Sequence, residues 1–478
     1  MLTYDKQYIN GEWIEGHGDS ILEDRNPYTN ELLYKYRSAS KEDVNAAYKA
    51  AKAAQKDWAS KSPGERNAYL EKLLEAFKNN EAEMINISIE EGGSAPNKVG
   101  FEVNTTYNII KEAMALTHHS EGKILPSDIP HKKNLIIREP KGVIGVIAPW
   151  NVPFVLALRS VVPAVTLGNT VLLKPASDTP ATALFIAKMF EEAGFPKGVF
   201  NAIVGRGSEI GDSITDNPIP DMISFTGSTE VGKHIGEISG KNIKDVSLEL
   251  GGNNVEVILK DADIAKAVKA SIFGTFFNAG QVCMRTNRII VVEDIYDEFL
   301  EAFVEATKQV VAGDPSKEDT YYGPIINESQ RDKILGYIQA TINEGATVSL
   351  EGKTEGNVIT PWIISDVTND MTMAQNEVFG PAVSVIKAKD EKEALEIAND
   401  TDLGLSGSVF TEDLYHGIKV AKQIGSGMVH LNYQPINDEP HVMFGGEKQS
   451  GIGRFNGKWV ADKFTRERWI SIQEEARF

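Results

Sequence analysis

The chain holds one cysteine, Cys283, among 478 residues. That excludes an intrachain disulfide framework and fits a reducing compartment, so a cytoplasmic protein is expected. The eight histidines contain no HExxH pair and no pairing with the cysteine at ligand spacing, so no protein-bound metal is expected. No stretch approaches the ~18 consecutive apolar residues of a membrane span, and the opening MLTYDKQYINGEW lacks the basic and apolar regions of a leader. Basic residues are outnumbered, 49 against 68, and the formal charge of -19 repels phosphate backbones and anionic membranes. Neither nucleic acid nor a membrane is an expected partner. Internal repeats, low-complexity tracts and Pro/Ser-rich linkers are also absent, which predicts closely packed domains.

What remains is an ordinary globular composition long enough for two large domains or more. Residues 6–14 read as two short strands about Asn10-Gly11, a dipeptide suited to a tight hairpin turn. Ser62 followed by Pro63 marks a helix start, and Leu70, Leu73, Leu74 and Phe77 recur at the spacing of one buried helix face, so 41–91 is predicted mostly helical. From 143 to 250 the short apolar runs GVIGVIAP, TVLLKPAS, VFNAIVG, MISFTG and VSLELGG alternate with helix-length stretches. Five strands and four helices in that order predict an α/β doubly wound parallel sheet. Ligands bind at the carboxyl ends of such strands. A second α/β pattern begins after about 252, with an apolar helix ending near Asn278-Ala279-Gly280 and a strand near Ile289 to Val292.

Three side chains at those places suggest chemistry. A lone cysteine is usually a small buried hydrophobe, but Cys283 follows a helix and a glycine in FFNAGQVCMRT, where backbone amides can face a ligand. Glu249 ends a buried strand and precedes two glycines that leave room for substrate or water, so it is a candidate general base. Asn151 in APWN offers an amide to an oxyanion or caps the following helix. Two phosphate motifs fail. FTGSTEVGK nearly fits a P-loop, but His234 stands where the magnesium-binding hydroxyl belongs, and GRGSEIG misses the dinucleotide glycine spacing. The amides near Gly227 and Ser228 remain candidates for holding a phosphate at a helix start.

The segments APWN, LLKPAS, FTGSTEVG, LELGG, GQVC, EVFGP and FGGEKQSGIGR occur in the order found in the aldehyde dehydrogenase superfamily, which the chain resembles over nearly its whole length. The resemblance implies an NAD(P)-binding domain over 1–118 and 141–251, a catalytic domain over 252–446, and a small β oligomerisation arm from 119–140 and 460–478 that pairs subunits into a homodimer or homotetramer. It implies that Cys283 attacks the aldehyde carbonyl and that the Asn151 amide and the Cys283 N–H bind the oxyanion. Hydride then passes to the nicotinamide, and Glu249 activates the water that releases the carboxylic acid. Lys174 would bond the adenosine ribose, Trp150 and Ser228 would follow the pyrophosphate, and Glu377 would hold the nicotinamide ribose. Ile147, Ser177, Gly207, Gly211, Gly227, Leu250 and Phe379 complete the implied cofactor set.

Family members that prefer NAD often carry glutamate where Ser177 stands here, so NADP is as admissible as NAD. Asn253-Asn254 also departs from the common lysine and serine, with little expected effect on the chemistry. The stretch from Asn432 through NDEPHVMFGG, with Arg159 and Ser160, resembles the benzaldehyde, salicylaldehyde and vanillin branch. Its implied substrate pocket is Val152, Leu156, Val282, Met284, Tyr433 and Phe444, a mainly apolar set suited to an uncharged aromatic or aliphatic aldehyde. The alternatives are a coenzyme A-acylating dehydrogenase, disfavoured by the presence of Glu249, a P-loop enzyme, disfavoured by His234, and a non-catalytic scaffold on the same fold.

Overall fold

In the computed structural model, which describes residues 4–118 and 121–475, two large sheets carry the fold. Of the expected segments, 1–3, 119–120 and 476–478 lie outside the described residues. Gln7–Ile9 pairs antiparallel with Glu12–Ile14, and Asn10 and Gly11 turn between them at φ 53° and 71°. Helices Lys41–Ser60, Pro63–Asn79 and Glu81–Glu90 fill the stretch predicted helical. The Ser62 hydroxyl accepts from Glu65 N while the Glu65 carboxylate returns to Ser62 N at 2.7 Å, a reciprocal cap.

The five predicted strands and four helices all form. Across the first sheet the order is Glu12–Ile14, Gln7–Ile9, Phe200–Ala202, Thr170–Lys174, Val143–Ile147, Met222–Thr226, Asp245–Glu249 and Gly451–Ile452. The inner five are parallel, and burial under helices on both faces explains why each reads as an apolar run. The chain steps outward from Val143–Ile147 on one side and then returns to lay Met222–Thr226 on the other. This reversal leaves a crevice at the carboxyl ends of those strands. Gly451–Ile452 runs antiparallel along the far edge, with Gly451 opposite Glu249.

The second sheet is ordered Thr347–Leu350, Trp362–Ser365, Ala382–Ala388, Thr286–Val292, Asn254–Ile258, Gly407–Phe410 and His430–Leu431, parallel except for its first pair. A third sheet joins Thr465–Gln473, Lys132–Pro140 and Lys123–Leu125, all antiparallel, and leaves Ile124, Trp469, Ile470 and Ile472 exposed. No helix among the described residues is long and apolar enough to cross a membrane.

Candidate functional site

The crevice at the strand reversal is a cleft open to solvent. It brings together ten residues singled out in the sequence: Trp150, Asn151, Leu156, Gly227, Ser228, Glu249, Leu250, Cys283, Glu377 and Phe379. Among the described residues no group of three or more His, Cys, Asp or Glu could hold a metal ion.

Cys283 is carried by a strained turn. The helix Ile264–Phe276 ends, and Asn278, Ala279 and Gly280 all take left-handed φ values of 53°, 55° and 69°. Glycine is required at 280, where a Cβ would overlap the Gly380 carbonyl. Ala279 gains nothing from that conformation, which costs roughly 1–2 kcal/mol and persists because the surroundings hold it. Gln281 accepts from Ile326 N at 3.0 Å and donates to Pro324 O at 3.2 Å, and Asn278 donates to Asn151 O at 3.2 Å. Cys283 itself is half-buried. Burial pushes its thiol up to about 12, reinforced by Glu377 and opposed by Arg159.

Asn254 gives the turn its other anchor. Its amide nitrogen donates to the carbonyls of Cys283 and Arg285, both at 2.8 Å, and its oxygen accepts from Ser406 N at 2.9 Å. Asn253 likewise joins Ala374 O and Asn287. Of the asparagine pair expected to matter little, Asn254 therefore holds the backbone of the candidate nucleophile. Asn254→Leu keeps the volume but leaves three buried polar groups unpaired, each worth ~1–3 kcal/mol. A lower melting temperature is expected, with turnover down on the order of 10²-fold from misplacement of the thiol.

Glu249 is buried, and neither of its carboxylate oxygens has a hydrogen-bond partner among the described residues. Burial pushes it up to about 7, against the pull of Lys463, Arg159 and Arg454. A carboxyl in that range both accepts and releases protons near neutrality. Asn151 donates to Gln281 O at 3.0 Å, which orients its amide and leaves one N–H over.

On the cofactor side the amides near Gly227 and Ser228 differ in what they can offer. The Gly227 N–H donates to the Glu249 carbonyl at 3.0 Å and so is not free for a phosphate. The amides left for an anion belong to the first turn of Thr229–Lys241, whose cap is the Ser228 hydroxyl accepting from Val231 N at 3.4 Å. Gly227 is needed for another reason: a Cβ there would overlap the Phe225 ring. Glu377 accepts from Gly252 N at 3.2 Å and lies where a Cβ on Gly251 would be, and burial pushes its carboxyl up to about 7. Phe379 takes φ 51° and meets Trp150 edge-on at 5.6 Å.

The other implied cofactor residues lie beyond the cleft along neighbouring strand ends. Ile147 ends the central strand and is partly buried between two apolar clusters. Lys174 ends the next strand, with burial pushing its ammonium down to about 8 against the pull of Asp178. Ser177 donates to Gly205 O at 3.4 Å. Gly207 and Gly211 have open space where a Cβ would stand, leaving the flank of Gly207–Thr215 accessible to a ligand. The helix start and Glu377 in the cleft, continued by this open flank beyond it, fit a dinucleotide.

The implied substrate pocket is brought together only in part. Of its six residues Leu156 alone lines the cleft. Val152, Val282 and Met284 are buried in the surrounding apolar core, and Tyr433 is 55% exposed, after Asn432 at φ 54°. Phe444 faces a second hollow with Met428, His430 and Asp438, and the Arg159 guanidinium lies 4.1 Å from its ring centroid. Arg159 is ion-paired with Asp438, both buried. Gln330 and Lys333 also line the cleft, from the helix Glu328–Asn343. No motif marks them: on an amphipathic helix they read as a solvated face.

Residues 13–470 match the aldehyde dehydrogenase family. The chain is 48% identical over 471 residues to a vanillin dehydrogenase of Corynebacterium glutamicum, covering 98% of this chain and 97% of that protein. It is 46% identical over 481 residues to a benzaldehyde dehydrogenase of Bacillus subtilis, covering 100% and 99%. The structure superposes on an NAD-dependent benzaldehyde dehydrogenase from Corynebacterium glutamicum with a TM-score of 0.92 at 44% identity, covering 99% and 98%.

Proposed function

The chain belongs to the aldehyde dehydrogenase family and is an oxidoreductase acting on aldehydes with NAD or NADP, and we propose that it oxidises an uncharged aromatic aldehyde to the acid through a thioester on Cys283. The observation that carries this reading is the convergence of Cys283, Glu249 and Asn151 on one cleft. The Cys283 sulfur adds to the carbonyl, the Asn151 amide and the Cys283 N–H receive the oxyanion, and the Glu249 carboxylate takes the thiol proton. When bound, NAD or NADP supplies the hydride acceptor that turns the hemiacetal into the thioester. Glu249, freed of its proton, then draws one from the water that attacks the thioester, and the acid leaves as the thiol is restored.

Support for an uncharged substrate comes from Arg159. Its charge acts on Cys283 and Glu249 yet is already matched by Asp438, so it is not available to a substrate carboxylate. Support for the implied division into two large domains and an arm comes from the two large sheets and the separate three-stranded one, whose exposed apolar residues suit the pairing of subunits. Turnover of benzaldehyde, vanillin, hexanal and succinic semialdehyde, followed with each cofactor, tests the reading. The aromatic aldehydes are expected to give the highest kcat/KM, and a preference for succinic semialdehyde would overturn the substrate class. A strict requirement for coenzyme A would overturn the hydrolytic step.

Ser177 supports use of both cofactors, because it puts no carboxylate where a ribose 2'-phosphate would come near Lys174. Ser177→Glu is expected to lower kcat/KM for NADP by ~10-fold or more through like-charge repulsion while leaving NAD turnover near wild type.

A further inference from the structure

Charged side chains are almost never fully buried unless paired. Lys98 and Glu102, one turn apart in the helix Pro96–Leu116, are 1% and 0% exposed and form an ion pair at 3.7 Å. Lys98 Nζ also donates to the Ser94 hydroxyl at 2.6 Å, and Glu102 Oε2 accepts from the Ser88 hydroxyl at 3.3 Å. The other Glu102 oxygen, Oε1, reaches out of this cluster. It accepts from Phe154 N at 3.2 Å, in the first turn of the helix Pro153–Thr166. That helix starts two residues after Asn151 and has no side-chain cap of its own: Val152 carries no acceptor, Pro153 has no N–H, and Leu156 N is taken by Val152 O at 3.0 Å. Every residue of the helix is buried, so the Phe154 amide needs a partner from the protein. Glu102, 52 residues earlier, is that partner.

Next to Glu102, Phe101 meets Phe277 edge-on at 5.8 Å, and the residue after Phe277, Asn278, donates to Asn151 O at 3.2 Å. The helix Pro96–Leu116 thus touches both the segment that carries Asn151 and the turn that leads to Cys283. Only Val152 and Pro153 stand between Asn151 and Phe154, and the proline ring fixes one of the few dihedrals that could absorb a shift. We propose that Glu102 is a positioning residue for the oxyanion donor: its carboxylate, held by Lys98, fixes the start of Pro153–Thr166 and through it the place of the Asn151 amide in the cleft. The proposal rests on the reading of Asn151 as that donor. Lys98 and Ser88 hold Oε2, which leaves Oε1 aimed at the helix start, and Lys98 supplies the counter-charge without which a lone buried carboxylate would take up a proton. A donor displaced by ~1 Å loses on the order of 10²-fold in rate. Because Gln281 also holds the Asn151 amide, at 3.0 Å, removing Glu102 should cost less than that.

Removing Glu102 alone would strand Lys98 as an unpaired buried cation, so both are replaced together. The test measures kcat/KM for benzaldehyde with NAD, the melting temperature and NAD binding in three double variants, each with and without Asn151→Ala. Lys98→Met/Glu102→Leu removes the acceptor, Lys98→Met/Glu102→Asn leaves it one carbon short, and Lys98→Met/Glu102→Gln restores its reach. The first two are expected to lose ~10-fold in kcat/KM with NAD binding unchanged, and the third to stay within about threefold of wild type. In the Asn151→Ala background none of the three should change kcat/KM by more than about twofold, because the donor they position is gone. A merely structural role would exact its full loss in either background, and that result would overturn the proposal. So would wild-type kcat/KM in the first two variants, or an equal loss in the third. Wild-type kcat/KM in Asn151→Ala itself would overturn the reading of the donor and the proposal with it.

Discussion

Cys283→Ala is expected to reduce aldehyde-dependent production of NADH or NADPH by at least about 10⁴-fold, because without the sulfur no thiohemiacetal forms and the bare aldehyde is a poor hydride donor. The loss should come without unfolding. The side chain is half-buried and among the described residues its sulfur holds no part of the turn, which is fixed instead by Asn254, Gln281 and Asn278. A melting temperature close to wild type, with NAD binding retained by fluorescence titration, would place the defect in the chemistry. Residual turnover within 10-fold of wild type would rule the covalent route out.

Glu249→Gln is the second large effect. The amide fills the same space but accepts no proton, so at most a burst of reduced cofactor is expected, followed by hydrolysis slowed ~10²–10⁴-fold. In the wild type, turnover should rise with pH through about 7, where the Glu249 carboxyl ionises, and the variant should lack that limb. The same shift has a consequence for stability. Between its ordinary 4.5 and about 7 the folded chain keeps a proton that the unfolded chain has lost, so Glu249 costs stability as pH rises through that window. Glu249→Gln is therefore expected to melt higher than wild type at pH 8 and about equally at pH 4, a sign opposite to that of a lost structural contact.

The residues that could be read from the sequence share a local signal. The first sheet was legible because parallel strands covered on both faces become uninterrupted apolar runs, and the hairpin because Asn10-Gly11 dictates its own turn. Cys283, Glu249 and Asn151 were legible through short motifs at strand and helix ends. What was not legible depends on distant partners. Nothing near Gly227 announces that its amide serves the Glu249 carbonyl, and nothing near Arg159 announces Asp438, 279 residues away. The left-handed run through Ala279 has no local preference behind it and is held where Asn278 and Gln281 reach Asn151, Pro324 and Ile326, all distant in the chain.

The pairing of Glu249 with Gly451 also bears on how the chain is made. The carbonyl of Gly251, two residues past the glutamate, accepts from Ser450, a partner 199 residues later in the chain. At ribosomal elongation rates that separation is on the order of 10–40 s of synthesis. Throughout that interval the strand Asp245–Glu249 is present on the nascent polypeptide with its outer edge uncovered, available to any passing strand. The first sheet is thus finished only once Gly451–Ile452 has been made, and chains released before that point expose the edge beside the glutamate to mispairing.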